Sequence, residues 1–131
     1  MVIGSPADVL VVEDDTDLNE IVCTFVEMTG HTFQPALDGR SAVQAFRAHR
    51  PRLVLLDLML PDLDGFEVCR LLREDVATRD VPVVIVSAWS DESTRRRAAA
   101  CGGREYLGKP FNPEDLMAAI RRHIEAVRDA N

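Results

Sequence analysis

Cysteine is scarce and scattered: Cys23, Cys69 and Cys101 have neither paired nor zinc-ligand spacing, so the chain shows no disulfide framework and no structural-metal signature. Reduced thiols point to a reducing compartment, and a cytoplasmic location is expected. A positive excess is missing as well. Fifteen Lys and Arg against 22 Asp and Glu leave a formal charge of −7, which argues against direct nucleic-acid binding and against attraction to an anionic bilayer. The longest apolar stretches, such as Leu53 to Leu56 and Val83 to Val86, are far too short to span a membrane. The N-terminus has no basic segment leading into an apolar one. No repeat, low-complexity tract or Pro-, Gly- or Ser-rich linker divides the chain, so one domain over residues 1–131 is expected, with no output domain.

What is present suits a compact domain. Apolar residues make up 47% and charged residues 28% of 131 positions, enough to bury a core without disulfide or metal support. Charge is unevenly divided: residues 1–90 hold 7 basic and 15 acidic side chains, whereas residues 91–131 hold 8 and 7.

Three runs, Val9 to Val12, Leu53 to Leu56 and Val83 to Val86, are short, rich in β-branched residues and not alternating. Strands buried on both faces of a parallel sheet have that composition. Segments of helical period separate them. Leu18, Ile21, Val22, Phe25 and Val26 predict an inward stripe on a helix over about 16–29, with Asp17 and Glu20 as its start signal and Gly30 as its stop. A second helix opens near Asp38, carries Val43 and Phe46 and is barred by Pro51. A third follows Asp64-Gly65 and carries Phe66, Cys69 and Leu72. Asp91 to Ala100 has a poor apolar stripe and reads as a short, weakly anchored helix ended by Gly102-Gly103. The last helix, about 113–128, has Asn112 as cap and Pro113 at its first position. Leu116, Ile120, Ile124 and Val127 face inward, and Arg128 lies near its end. Weaker strands near Thr32 to Pro35 and Glu105 to Leu107 complete five strand-helix units, which predicts a doubly wound α/β domain. Such sheets bind ligands outside the carboxyl ends of their strands.

Those ends carry reactive groups: Glu13, Asp14 and Asp15 after the first run, Asp57 after the middle one, Ser87 after the third, and Lys109-Pro110 after the weak fifth strand. Bringing Glu13, Asp14 and Asp57 together crowds like charges unless a cation or a proton neutralises them, and a hard divalent ion is the expected answer. Mg2+ suits oxygen ligands and leaves positions for phosphate oxygens. With Lys109 as a positive charge and Ser87 as a hydroxyl donor, the set predicts a phosphoryl-transfer site in which Asp57 attacks phosphorus. A phosphatase resembling the haloacid dehalogenase family would carry a second Asp two residues after the nucleophile. Met59 stands there and has only a backbone carbonyl to contribute to a metal, so the chemistry is expected to stop at the phosphorylated protein. An Mg-dependent aspartyl-phosphate phosphohydrolase is the alternative. Flavin binding is disfavoured, because Glu13 to Asp15 would repel a flavin phosphate.

The motifs VLVVEDD, LVLLDLMLPDLDG, VVIVSAW and YLGKPF, in that order and spacing, resemble the receiver domains of two-component response regulators over nearly the whole chain. The resemblance implies a flavodoxin-like (βα)5 fold of strand order 2-1-3-4-5 and phosphorylation of Asp57 by a histidine kinase or phosphotransfer protein. It makes Asp14 a direct Mg2+ ligand and Glu13 a ligand through water, with Asp57 and the Met59 carbonyl completing the protein's share. It assigns Ser87 as the switch hydroxyl, Lys109 as the phosphoryl-contacting lysine, Tyr106 as the switch aromatic, and a cis bond before Pro110. Output is expected through the face of the fourth helix, fifth strand and last helix. Arg95 to Arg97, Arg104, Arg121 and Arg122 there suggest an acidic partner. The plain alternatives are a half-exposed strand residue for Tyr106 and a solvated basic face for the arginines. Some such receivers form phosphorylation-dependent dimers; Arg104 departs from the acidic residue common there in transcription factors. Met59 and Trp89, large and apolar, occupy positions that influence water access in similar receivers, which implies slow self-dephosphorylation.

Overall fold

Every residue of β1 (Val9–Val12), β3 (Leu53–Leu56) and β4 (Val83–Ser87) is buried, as their unbroken apolar runs require. The computed structural model describes residues 7–89 and 91–129, with side chains up to residue 124. β2 (Phe33–Ala36) and β5 (Gly103–Gly108) form the edges of a fully parallel sheet in the order β2-β1-β3-β4-β5. This is the expected doubly wound, flavodoxin-like arrangement, with its switch point between β1 and β3.

Alternate strand residues feed two cores. Leu10, Val12, Val54, Leu56 and Ile85 pack with Phe46 of α2 (Gly39–Ala48), Leu72 of α3 (Gly65–Glu74) and Ala98 of α4 (Glu92–Ala100). Val9, Val11, Leu53, Leu55 and Val84 pack with Val22 and Val26 of α1 (Thr16–Met28) and with Leu116, Ile120 and Ile124 of α5 (Pro113–Asp129). Val127 and Arg128, expected inside and at the end of α5, lie outside the residues whose side chains are described.

Aspartates start four helices. Asp15, Asp38, Asp64 and Asp91 each accept first-turn backbone N–H groups, and Asn112 accepts from the Glu114 N–H at 2.8 Å. For α1 this corrects the expectation: the cap is Asp15, not Asp17 or Glu20. Its inward face is also rotated. Asn19, Val22, Cys23 and Val26 are buried, whereas Ile21 is 49% exposed. The cause is the Asn19 amide, which donates to the carbonyls of Val11, Glu13 and Ala36; hydrophobic periodicity does not see a polar residue buried for its hydrogen bonds.

α4 buries only Ala98, as its poor stripe predicts. Its carboxyl end is nevertheless held. Arg73 of α3 donates to the Gly102 carbonyl at 2.8 Å, and the Arg97 guanidinium lies 4.0 Å over the Phe66 ring.

Candidate functional site

The carboxyl ends of β1, β3 and β4 and the loop after β5 meet in one notch. Parallel pairing puts Asp57 beside β1, its N–H donating to the Val12 carbonyl at 3.0 Å, while Glu13 N–H donates to Ala36 at 3.0 Å. Glu13 and Asp57 are buried at 5% and 4% exposure; Asp14 is exposed. One carboxylate oxygen from each lies within 4.8 Å of the others. Gly65 lets α3 start against this strand end: a Cβ there would sit 2.6 Å from Leu58 Cα and 2.7 Å from the Asp57 carbonyl oxygen.

Lys109, the chain's single lysine, reaches into the notch. Its Nζ donates to Glu13 Oε1 at 2.5 Å and to Asp57 Oδ2 at 2.8 Å. Its N–H donates to the Ser87 carbonyl at 2.9 Å, which ties the β5 exit to β4. The Lys109–Pro110 peptide is cis, as expected. Burial works against the Lys109 charge, but the hydrogen bonds to Asp57 and Glu13 outweigh it and hold its pKa above the ordinary value. Burial pushes the Glu13 carboxyl up; the Lys109 and Asp15 N–H hydrogen bonds offset this only in part, and the Asp57 charge adds to it. One ammonium among three carboxylates leaves an excess of negative charge in a partly dry site, and hard oxygen donors of this kind fit a divalent cation.

Around the notch, Ser87 is fully buried and its Oγ accepts the Trp89 N–H at 3.3 Å. The Met59 N–H donates to Asp57 Oδ1 at 3.1 Å. The Met59 and Trp89 side chains are 46% and 42% exposed. Tyr106 is half-buried, and its hydroxyl is enclosed with no hydrogen-bond partner among the described residues. Burial pushes the phenol up and the nearby Asp91 and Asp57 charges add to it, while the Arg95 charge pulls the other way. The structure thus gathers Glu13, Asp14, Asp57 and Lys109, with Met59, Ser87 and Tyr106 around them. Sequence reasoning missed Asn19, which braces the β1 end beneath Glu13; the signal was a polar residue in register with Val22 and Val26. It also missed Asp62, which accepts the N–H groups of Gly39 and Arg40 at 2.7 and 3.0 Å and ties the β3–α3 loop to α2.

Comparison with known proteins decides the family. The model of the response regulator receiver domain matches residues 9–121. The chain belongs to that family. Its receiver is 42% identical over 115 residues to the phosphate regulon transcriptional regulatory protein PhoB of Klebsiella pneumoniae, covering 86% of this chain and 49% of that protein. It is 36% identical over 113 residues to the DNA-binding dual master transcriptional regulator RpaA of Synechocystis, covering 86% and 47%. Among solved structures, the receiver domain of a sensor histidine kinase from Pseudomonas aeruginosa, with a magnesium ion coordinated in its active site cleft, superposes with a TM-score of 0.83. The two share 27% identity over 92% of this chain and 99% of that one.

This receiver is therefore a phosphorylation switch of two-component signalling, a class that works with histidine kinases and downstream effectors and is not made of turnover enzymes. The phosphohydrolase alternative is not favoured. The chain spans about half the length of the curated relatives it matches. The name of the Synechocystis relative runs against the expectation of no nucleic-acid contact, and that expectation is confined to these 131 residues. No helix among the described residues is long and apolar enough to cross a membrane.

Proposed function

We propose that Asp57 is the phosphoryl acceptor of this receiver, taking the group from a phosphohistidine of a histidine kinase or phosphotransfer protein. The carboxylate oxygen attacks phosphorus in line, the P–N bond breaks, and the partner's ring, protonated beforehand on its other nitrogen, leaves as neutral imidazole; the product is an aspartyl phosphate. The observation that carries this reading is the Lys109 bridge between Glu13 and Asp57 at the mouth of a three-carboxylate notch.

Mg2+ suits that notch: Asp14 and Asp57 would hold it directly, Glu13 through water, and Met59 through its carbonyl. Bound there, it offsets charge on the phosphoryl oxygens. Phosphorylation replaces the Asp57 charge that Lys109 now contacts, so the ammonium passes to a phosphoryl oxygen. Ser87 Oγ accepts from Trp89, which leaves its own proton free to donate to another. These groups make the chain the catalyst of its own phosphorylation. With Met59 in place of an acid or base two residues on, turnover of an external substrate is not supported.

Ser87 and Tyr106 carry the signal to the face of α4, β5 and α5, where an acidic partner surface, or a second copy after phosphorylation, meets the exposed arginines. The cytoplasm is the matching compartment, since all three cysteines are free thiols. Incubation with acetyl phosphate and Mg2+ tests the assignment by intact mass. The wild type gains one phosphoryl group and Asp57→Asn gains none; equal uptake by both, or uptake by neither, overturns it.

A further inference from the structure

The α4–β5 face carries one contact that the phosphorylation reading leaves unused. Arg95 lies one turn into α4, its N–H donating to the carbonyl of the cap Asp91 at 3.1 Å. Its guanidinium carbon is 4.7 Å from the centroid of the Tyr106 ring. Tyr106 pairs with Ile85 in the middle of β5, and its hydroxyl is enclosed on the Ser87 side. The ring therefore points inward, and the arginine covers its outer face. Between them runs a cleft of about 150 Å³, lined also by Ala98 and Arg104.

The two ends of α4 are held differently. The carboxyl end is tied to α3 through Arg73 and Arg97, while Ala98 alone enters the core. In the amino-terminal half of α4, Arg95 reaches β5 by lying over the Tyr106 ring. A flat guanidinium gains from the ring face while Tyr106 is inward and loses that platform when the ring turns out.

We infer that Arg95 is a positioning residue that latches Tyr106 inward and thereby biases the switch toward the state that phosphorylation favours. This rests on the assignment of Ser87 and Tyr106 as the switch pair. Because coupling is reciprocal, whatever stabilises the inward ring also strengthens binding of a phosphoryl mimic at Asp57. A cation–π contact at an exposed site sets the size of the effect at about two- to fivefold in the equilibrium.

Tyr106 is the chain's single tyrosine, so alkaline absorbance titration reads this phenol alone. The Arg95 charge favours the phenolate. Removing that charge from a ring that stays inward moves the phenol pKa further up, whereas release of the ring to solvent moves it down toward the ordinary value. The test compares wild type, Arg95→Ala, Arg95→Lys and Arg104→Ala in the full chain. It measures the phenol titration and the affinity for beryllofluoride in Mg2+. The latch requires a downward shift and about two- to fivefold weaker beryllofluoride binding in Arg95→Ala, a smaller effect in Arg95→Lys, and no change in Arg104→Ala. An upward or absent shift in Arg95→Ala, or equal effects in Arg104→Ala, overturns it. Failure of the wild type to bind beryllofluoride would instead overturn the phosphorylation reading, and the titration would still decide the latch.

Discussion

Lys109 Nζ lies 2.8 Å from Asp57 Oδ2, although 52 positions separate the two residues in the chain. β4 brings them together: it pairs with β3 on one side and β5 on the other, and the Ser87 carbonyl takes the Lys109 N–H. The bridge is at once the stabiliser of two buried carboxylates and the donor poised at the proposed acceptor.

Lys109→Met removes the cation and leaves Glu13 and Asp57 buried and unpaired. Breaking a fully buried pair costs about 3–5 kcal/mol; the 19% exposure of the Lys109 side chain sets the expected loss at the lower end. Adding Glu13→Gln relieves part of it, with a coupling of about 0.5–3 kcal/mol. Urea denaturation of the four proteins in the cycle measures this, and strict additivity would show that the lysine does not neutralise the pair.

Gly65→Ala places a methyl 2.6 Å from Leu58 Cα and 2.7 Å from the Asp57 carbonyl oxygen. Backbone atoms cannot yield cheaply, so a loss of about 1–3 kcal/mol is expected, together with slower phosphoryl uptake as the end of β3 shifts. Gly108→Ala is the control, since nothing lies within 4 Å of a Cβ there. Thermal melts and uptake from acetyl phosphate, followed by mass, distinguish the two.

The apolar side chains of Met59 and Trp89 flank the notch, each partly exposed. Neither offers an attacking water a carboxylate, amide oxygen or amine to orient or deprotonate it, so the aspartyl phosphate should persist for minutes or longer in Mg2+. Met59→Asn and Trp89→Lys should each shorten that lifetime. Decay within seconds in the wild type would refute the shielding.

Asp8 sits at the opposite end of β1. Burial disfavours its carboxylate, but the Thr32 N–H, His31 and Arg52 outweigh this and hold its pKa below the ordinary value. A carboxyl depressed in the folded state stabilises the protein fully above its unfolded pKa of about 3.9. That contribution fades as pH falls through the lower folded value. Urea midpoints of wild type should therefore drop on going from about pH 6 to below pH 4 more steeply than those of Asp8→Asn. Parallel slopes would show that Asp8 contributes nothing.

The sequence and the structure agree where a residue's neighbours along the chain decide its environment. Strands buried on both faces read as unbroken apolar runs, and Asp38, Asp64 and Asp91 announce their helices because a cap acts within one turn. Agreement fails on α1. Ile21 fits the helical stripe yet is exposed, while Asn19 is buried, because three carbonyls from β1 and β2 strand ends converge on its amide. Asp62 shows the same limit, since the N–H groups it accepts belong to α2, 22 and 23 positions away.

By itself the sequence determined the alternation of strands and helices and the reactive group at each strand end, because both follow from local periodicity and from the termini of apolar runs. Only the tertiary structure decided which way side chains turn. The inward Tyr106 under Arg95, the amide of Asn19 beneath Glu13 and the reach of Lys109 to two carboxylates all depend on parallel strands packed edge to edge, which bring distant residues within a few ångströms.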